Sequence, residues 1–95
     1  MRVRTDDGAV VLSWNPVRGD DVRGYQVYYG RASGEYLGTQ AELGPSPIDV
    51  GDQTQVRLEG LAGGVLHYFV VAAYDQSTRD LLFSREVPAR PMRNR

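Results

Sequence analysis

Short segments in which apolar and polar residues alternate make up most of this chain, and Gly, Pro, Asp and Asn separate them. The clearest is AVVLSW, in which Val10, Leu12 and Trp14 share one face of an extended backbone. No stretch repeats its apolar residues at the spacing of an amphipathic helix. Alternation with period two, over about four to eight residues, is typical of half-buried β-strands. The sequence therefore predicts an all-β chain.

Two further segments show the same alternation and extend the predicted core. YQVYYG places Tyr25, Val27 and Tyr29 on one face. TQVRLEGL directs Val56 and Leu58 inward and its charged residues outward. We therefore expect a strand at each segment, with one face of each strand buried.

The predicted sixth and seventh strands lie in the C-terminal half. HYFVVAAYD, residues 67–75, is apolar on both faces, as in a central strand of a covered sheet. LLFSREV, residues 81–87, follows it, with Phe83 and Val87 as expected core contacts. Pro88 is expected to end this strand, because proline has no backbone N–H to donate.

Two stretches carry weaker patterns. The first strand rests on residues 2–5 alone, with Val3 as its one inward candidate. Residues 37–51, between Tyr36 and Asp52, are rich in Gly and Pro, which favours an irregular excursion. We expect this excursion to contain a short extended piece at residues 48–50.

Length and charge limit the possible partners. Ninety-five residues are enough for one domain, predicted here as residues 1–90 followed by a polar basic tail at 91–95. The net charge is −1, and the eleven basic residues, all Arg, are dispersed along the chain. A nucleic-acid surface needs a concentrated positive field. We therefore expect no nucleic-acid partner.

Composition also limits covalent and membrane chemistry. The chain contains no Cys, so it has neither a disulfide nor a thiolate metal site. No window approaches the roughly 20 apolar residues of a membrane-spanning helix, and membrane insertion is not expected. The N-terminal MRVRTDDG lacks the apolar run of a signal peptide.

Five features in order resemble a fibronectin type III domain. They are Trp14 followed by Pro16, then Tyr25, then LEGLAGGVLHYFVVAAYD at 58–75 and finally FSREV at 83–87. The resemblance covers about residues 3–89. It implies a seven-stranded immunoglobulin-like β-sandwich without a disulfide.

Three segments are similar in sequence to bacterial members of this family: GYQVYYGRASGEY, SPIDVG and FVVAAYD. Those members are often accessory modules of secreted or surface proteins. The resemblance therefore implies an extracellular or periplasmic location, and a place within a longer protein.

A sandwich needs inward-facing residues from both sheets, packed about 10 Å apart. The alternation supplies eleven core candidates, of which Trp14 is the largest. They are Val10, Leu12, Trp14, Tyr25, Val27, Val56, Leu58, Leu61, Phe69, Val71 and Ala73.

The start of the sixth strand allows two registers. The family usually has Tyr six residues after the turn Leu, and counting from Leu61 places His67 there, with Tyr68 next. If His67 faces inward, Tyr68 faces outward, and a shift of one residue reverses every side chain. We favour His67 inward, as a corner residue bonded to backbone, and the alternative buries Tyr68.

The tripeptide Arg18-Gly19-Asp20 is a cell-adhesion signal when a rigid loop displays it. Adhesive fibronectin modules carry it between the last two strands, here residues 75–81, whereas this copy lies between the second and third. Gly and Asp are also what a tight turn requires. The sequence favours turn chemistry over adhesion, and leaves open whether the tripeptide is used.

Four outward residues of the third and sixth strands form a candidate interaction surface, with Ala72 among them and Tyr36 expected nearby. They are Tyr28, Tyr68, Val70 and Tyr74. Exposed tyrosines are common in recognition surfaces, because a rigid ring gives a large contact area. Such residues are also explained by a covering neighbour domain or by plain β-propensity. All three explanations stay open.

Catalytic chemistry is poorly represented. The chain has one His and no Cys, so a nucleophilic set would need His67 from an expected core position. The pairs Asp20-Asp21 and Asp49 with Asp52 lack the ligand spacing of a calcium loop. No catalytic residue, cofactor or metal is therefore predicted.

The sequence thus favours a non-catalytic module of a bacterial surface or secreted protein, serving as a spacer or a protein–protein interaction unit. Its expected partners are neighbouring domains of a longer chain or another protein. The alternative is a carbohydrate-binding or adhesive module that holds a polysaccharide on the outward tyrosines.

Overall fold

Eight strand segments, all paired antiparallel, account for the regular structure. The computed structural model describes residues 1–6, 8–17, 22–39, 41–75 and 81–91, with only the backbone at residues 75 and 81–83. The segments are β1 (Arg2–Asp6), β2 (Ala9–Ser13), β3 (Val22–Gly30), β4 (Ile48–Gly51), β5 (Gln55–Leu58), β6 (His67–Asp75), β7 (Leu81–Phe83) and β8 (Val87–Ala89). No helix occurs in these ranges. The predicted all-β class is confirmed.

The strands form two sheets. The smaller has the order β1-β2-β5, and the larger has the order β4-β3-β6 with β7 and β8 on the far edge of β6. β7 and β8 are successive halves of one strand, so the described residues form seven strands in two antiparallel sheets. The extended piece predicted at 48–50 is β4, and the weakly predicted first strand is β1.

A bulge joins the two halves of the last strand. Ser84 N donates to Val71 O at 2.8 Å, and Val71 N donates to Ser84 Oγ at 2.9 Å, so the serine hydroxyl replaces a backbone acceptor. The strand then resumes, with Pro88 paired to Tyr68. Pro88 therefore lies inside β8, and the prediction that it ends the strand is wrong. An edge strand tolerates proline because its missing N–H faces away from the ladder.

The core lies between the sheets. Val10, Leu12, Val56 and Leu58 line it from the smaller sheet, and all four are buried. The buried residues that complete it are Tyr25, Val27, Tyr29, Ala41, Ile48, Leu61, Phe69, Val71 and Ala73. Val3 and Val87 are half-buried against this cluster. The expected core contact of Phe83 falls outside the described side chains.

Trp14 does not occupy the centre of the core. It is half-buried and packs against the margin of the core, with its ring 5.6 Å from that of Tyr25 in an edge-on arrangement. The largest fully buried side chain is instead Tyr29. Trp14 directly follows β2 and lines two surface cavities, so part of its side chain is left uncovered.

The register of β6 is the one with His67 inward. His67 is 2% exposed, and Phe69, Val71 and Ala73 follow it on the core side. Tyr68 is half-buried on the other side. The alternative, in which Tyr68 occupies the buried corner, is therefore wrong for this chain.

Pro91, placed by prediction at the start of the tail, is buried, and its carbonyl accepts a hydrogen bond from Gly64 N at 2.7 Å. Residues 92–95 lie outside the described part. Among the described residues no helix has the length and apolar character needed to cross a membrane.

Candidate functional site

The predicted outward residues lie together on the larger sheet. Tyr28 of β3 pairs with Val70 of β6, and Tyr68 and Tyr74 of β6 pair with Gly30 and Gly24. Their inward neighbours on both strands belong to the core. We call Tyr28, Tyr68, Val70 and Tyr74 the tyrosine face.

The tyrosine face is less exposed than the sequence suggests. Its three tyrosines are half-buried, and Val70 is only 5% exposed although it points away from the core. Tyr28 lies directly across from Val70, and Tyr68 lies two positions before it. We infer that these rings close over Val70. The prediction of an exposed Val70 is corrected, and the face is an apolar layer edged by tyrosine rings.

The Glu86 carboxylate supports Tyr28 through Tyr36. The Tyr28 ring meets the Tyr36 ring edge-on at 6.3 Å, and Tyr36 Oη donates to Glu86 Oε1 at 2.6 Å. Glu86 also accepts from Ser33 Oγ at 2.6 Å and from Gly34 N at 3.1 Å. These bonds from Ser33 and Tyr36 lower the pKa of Glu86, and the bond to Glu86 raises the pKa of Tyr36. Glu86 thereby fastens the loop after β3 to the last strand.

Tyr74 is held at the opposite edge of the face. Its hydroxyl donates to the Asp49 carboxylate of β4, with Oδ1 at 3.1 Å and Oδ2 at 3.2 Å. A Cβ at Gly24 would lie 2.5 Å from that hydroxyl, so glycine lets the ring cross β3. Burial and then the bond to Asp49 raise the pKa of Tyr74. Tyr74 therefore serves to join β6 to β4.

The two outer faces of the sandwich differ in chemistry. On the smaller sheet, Arg57 Nη1 lies 2.8 Å from Asp6 Oδ2, and Arg57 Nε lies 3.1 Å from Glu59 Oε1. All three side chains are exposed. The bond to Arg57 lowers the pKa of Asp6. The outer face of the smaller sheet thus has charged side chains beside a buried valine, since Val11 pairs with Arg4 and Arg57. On the larger sheet, tyrosine rings take the place of those charged side chains beside the buried Val70.

A second candidate site lies at the end of the sandwich where β3 ends and β6 begins. A cavity of about 370 Å³ opens there, which we call the His67 cavity. It is lined by Tyr29, Arg31, Ala32, Glu35, Leu37, Gly38, Thr39 and His67.

His67 contributes one ring nitrogen to this cavity. Its Nδ1 lies 2.8 Å from Val65 O, and because a carbonyl can only accept, Nδ1 carries the proton. Burial lowers the pKa of His67 below its ordinary value of 6.5, and the charge of Arg31 acts in the same direction. The imidazole is therefore neutral near pH 7, with its lone pair on Nε2.

Tyr29 anchors the loop that borders the His67 cavity. Its hydroxyl donates to Gly44 O at 2.7 Å and accepts from Ala41 N at 3.2 Å, and its backbone N donates to Ser46 Oγ at 3.1 Å. A Cβ at Gly38 would overlap the Tyr29 ring, so the loop passes close against it. The sequence placed Tyr29 on the inward face but did not identify this role.

A further cavity lies at the opposite end of the sandwich, beside Trp14. Its volume is about 260 Å³, and Tyr25, Val71 and Ser84 contribute to its wall. Trp14 Nε1 is buried and has no hydrogen-bond partner among the described residues. Trp14 is less completely covered than Tyr29, which is fully buried although it also borders a cavity.

The remaining candidate residues of the sequence are the adhesion tripeptide and the paired aspartates. Arg18-Gly19-Asp20 and Asp21 lie outside the described residues. Asp49 is committed to Tyr74, and its Oδ1 also accepts from Gly51 N at 2.8 Å. In the described ranges no group of three or more His, Asp or Glu side chains is placed to hold a metal ion.

No protein-family model matches the chain, and no curated protein matches it either. Function is therefore inferred from the strand order, the tyrosine face and the His67 cavity.

Proposed function

We propose that this chain is a fibronectin type III domain of the bacterial type. Support comes from the strand orders β1-β2-β5 and β4-β3-β6-β7, which are those expected of this sandwich. His67 supports it as well, because its bond to Val65 O is the backbone tie expected of a corner residue. The domain is non-catalytic and belongs to a surface or secreted protein, in an extracellular or periplasmic setting.

Its role is that of a spacer or protein–protein interaction unit that makes contact through the tyrosine face. The observation that carries this proposal is the contrast between the two outer faces. A single core between two sheets needs no apolar layer outside it. On the smaller sheet, the side chains beside the outward Val11 are the charged ones of Arg4 and Arg57. Tyr28, Tyr68 and Val70 form such a layer on the larger sheet. Rimmed apolar patches of this kind mark contact surfaces.

The contacts around the face favour a protein partner. Tyr28 is packed against Tyr36, and Tyr74 is bonded to Asp49, so these side chains lose little freedom on binding. Stacking on a polysaccharide would require flat exposed rings, whereas these tyrosines are half-buried. The carbohydrate-binding alternative at this face therefore has less support than contact with a neighbouring domain or another protein.

Hydroxyl-radical footprinting tests the proposal. Two samples are labelled under identical conditions: the purified chain, and the same chain in the intact cells that produce it. Tyr28 and Tyr68 should be protected several-fold in the cellular setting, because a partner covers them. Leu43, which is 57% exposed and lies in the loop after β3, serves as the control and should label equally in both. Equal labelling of Tyr28 and Tyr68 in the two settings would contradict the proposal.

A further inference from the structure

The His67 cavity offers a hydrogen-bond acceptor that the protein itself does not use. His67 is 2% exposed, its Nδ1 is committed to Val65 O, and Nε2 has no hydrogen-bond partner among the described residues. Nε2 borders the cavity and is accessible to solvent, so a ligand hydroxyl or N–H in the cavity can replace water as its hydrogen-bond donor. The cavity volume of about 370 Å³ lies within the range of small-ligand sites.

The other lining groups narrow the ligand class. Arg31 brings a cation and Glu35 an anion to the same cavity, so a purely anionic or purely cationic ligand meets a like charge. Thr39 adds a hydroxyl, and Leu37, which is 81% exposed, adds apolar surface. An uncharged ligand with several hydroxyls and apolar C–H groups matches this mixture of donors, acceptors and apolar atoms.

The bordering loop is held in place before any ligand arrives. Gly38 N donates to Tyr29 O at 2.9 Å, and Glu35 N donates to Ala32 O at 3.0 Å. Glu86 holds the same loop from the last strand through Ser33 and Gly34. A wall fixed by these bonds spares the ligand the entropy of ordering it.

We propose that the His67 cavity binds a saccharide unit, with His67 Nε2 accepting a hydrogen bond from one sugar hydroxyl and Glu35 accepting from another. This activity goes beyond the protein contact proposed for the tyrosine face, and it uses a different surface.

NMR titration of the isotope-labelled chain tests it. The probes are neutral monosaccharides and their methyl glycosides, the glycosides standing for a sugar at the end of a glycan. At least one probe should give saturable shifts of the Leu37 and Gly38 amides and of His67 Nε2, with a dissociation constant of about 1 mM or tighter. The Nε2 resonance is the decisive readout, because it reports directly on the lone pair.

Matched carboxylate variants provide the control. Glu35→Gln should weaken saccharide binding about tenfold, since a charged acceptor is lost. Glu42→Gln alters a carboxylate of the same loop that does not line the cavity, and should leave affinity unchanged. Thr39→Val should weaken binding less than Glu35→Gln while leaving the fold intact.

Three outcomes would overturn the proposal. One is the absence of saturable shifts with every saccharide. Another is equal weakening by Glu35→Gln and Glu42→Gln. The last is a shift of the His67 Nε2 resonance when Zn²⁺ is added, with no shift when any saccharide is added. Footprinting of Tyr28 and Tyr68 is independent of all three, so failure here leaves the function proposed for the tyrosine face standing.

Discussion

Each end of the sandwich has one large aromatic side chain packed against the core, and the two side chains differ in burial and in hydrogen bonding. Tyr29 is fully buried, and its hydroxyl bonds both Gly44 O and Ala41 N. Trp14 is half-buried beside a cavity, and its Nε1 has no partner among the described residues. Ring size therefore does not decide which aromatic dominates; the amount of chain folded over the ring does.

Both candidate sites lie beside the loop at the Tyr29 end of the sandwich. The loop that Tyr29 anchors forms the wall of the His67 cavity, and through Tyr36 and Glu86 it also supports the tyrosine face. Tyr29 thus holds the part of the loop beside the His67 cavity, and Glu86 holds the part beside the tyrosine face. Nothing comparable is found around Trp14 in the described part of the chain.

The largest expected effect comes from truncating the two aromatics. Tyr29→Ala removes a fully buried ring and should cost about 4 kcal/mol, whereas Trp14→Ala should cost about 2–3 kcal/mol because that ring is only half-buried. In a domain with roughly 5–10 kcal/mol of stability, the first variant is close to unfolding. Urea unfolding measures both. A larger loss for Trp14→Ala would contradict the comparison.

Replacement by Phe sharpens the comparison, because it separates hydrogen bonds from ring burial. Tyr29→Phe leaves Gly44 O and Ala41 N without their partner and should cost about 1–3 kcal/mol. Trp14→Phe removes an N–H that has no acceptor among the described residues, and should cost less than about 1 kcal/mol. Thermal unfolding of the two variants in parallel compares their losses of stability. A larger loss for Trp14→Phe than for Tyr29→Phe would show that Trp14 Nε1 has a hydrogen-bond partner.

The smallest expected effect is a dependence of stability on pH at the His67 end. The pKa of His67 is lowered in the folded state, so the unfolded chain binds more protons as pH falls below about 6.5. Stability is therefore full above that pH and declines beneath it, down to the folded pKa. Glu86, whose pKa is lowered from 4.5, adds a separate loss at more acidic pH.

His67→Asn isolates the histidine contribution, because its amide can still donate to Val65 O but does not titrate. Between pH 6.5 and the carboxylate range, the variant should show no decline of stability, whereas the original chain should show one. Identical slopes in urea titrations at several pH values would contradict the assignment of a neutral buried His67.

Local alternation predicted the strands and most of the core. Val10, Leu12, Val56 and Leu58 are buried where period two places them, and counting from Leu61 placed His67 inward. These features depend on neighbours along the chain, which a sequence displays directly. The prediction that Pro88 ends the last strand was wrong, because the effect of a proline depends on whether its strand lies at the edge of the sheet. The position of a strand within a sheet is a property of the whole sheet and not of the local sequence.

The candidate sites were harder to predict, because they depend on contacts between distant residues. Glu86 meets Ser33 across 53 positions of sequence, and no local pattern announces that contact. Val70 was expected to be exposed because it faces outward, but burial there depends on the rings beside it. The His67 cavity likewise depends on how the loop after β3 folds back onto Tyr29.

Native-state hydrogen exchange of the loop after β3 tests the central claim most directly, namely that Tyr29 fixes this irregular loop as a rigid border of the His67 cavity. The amides of Gly38, Ala41 and Ser46 are hydrogen-bonded, so they should exchange far more slowly than unstructured amides. In Tyr29→Phe, Ala41 should lose most of its protection. Fast exchange of all three amides in the unaltered chain would contradict the account.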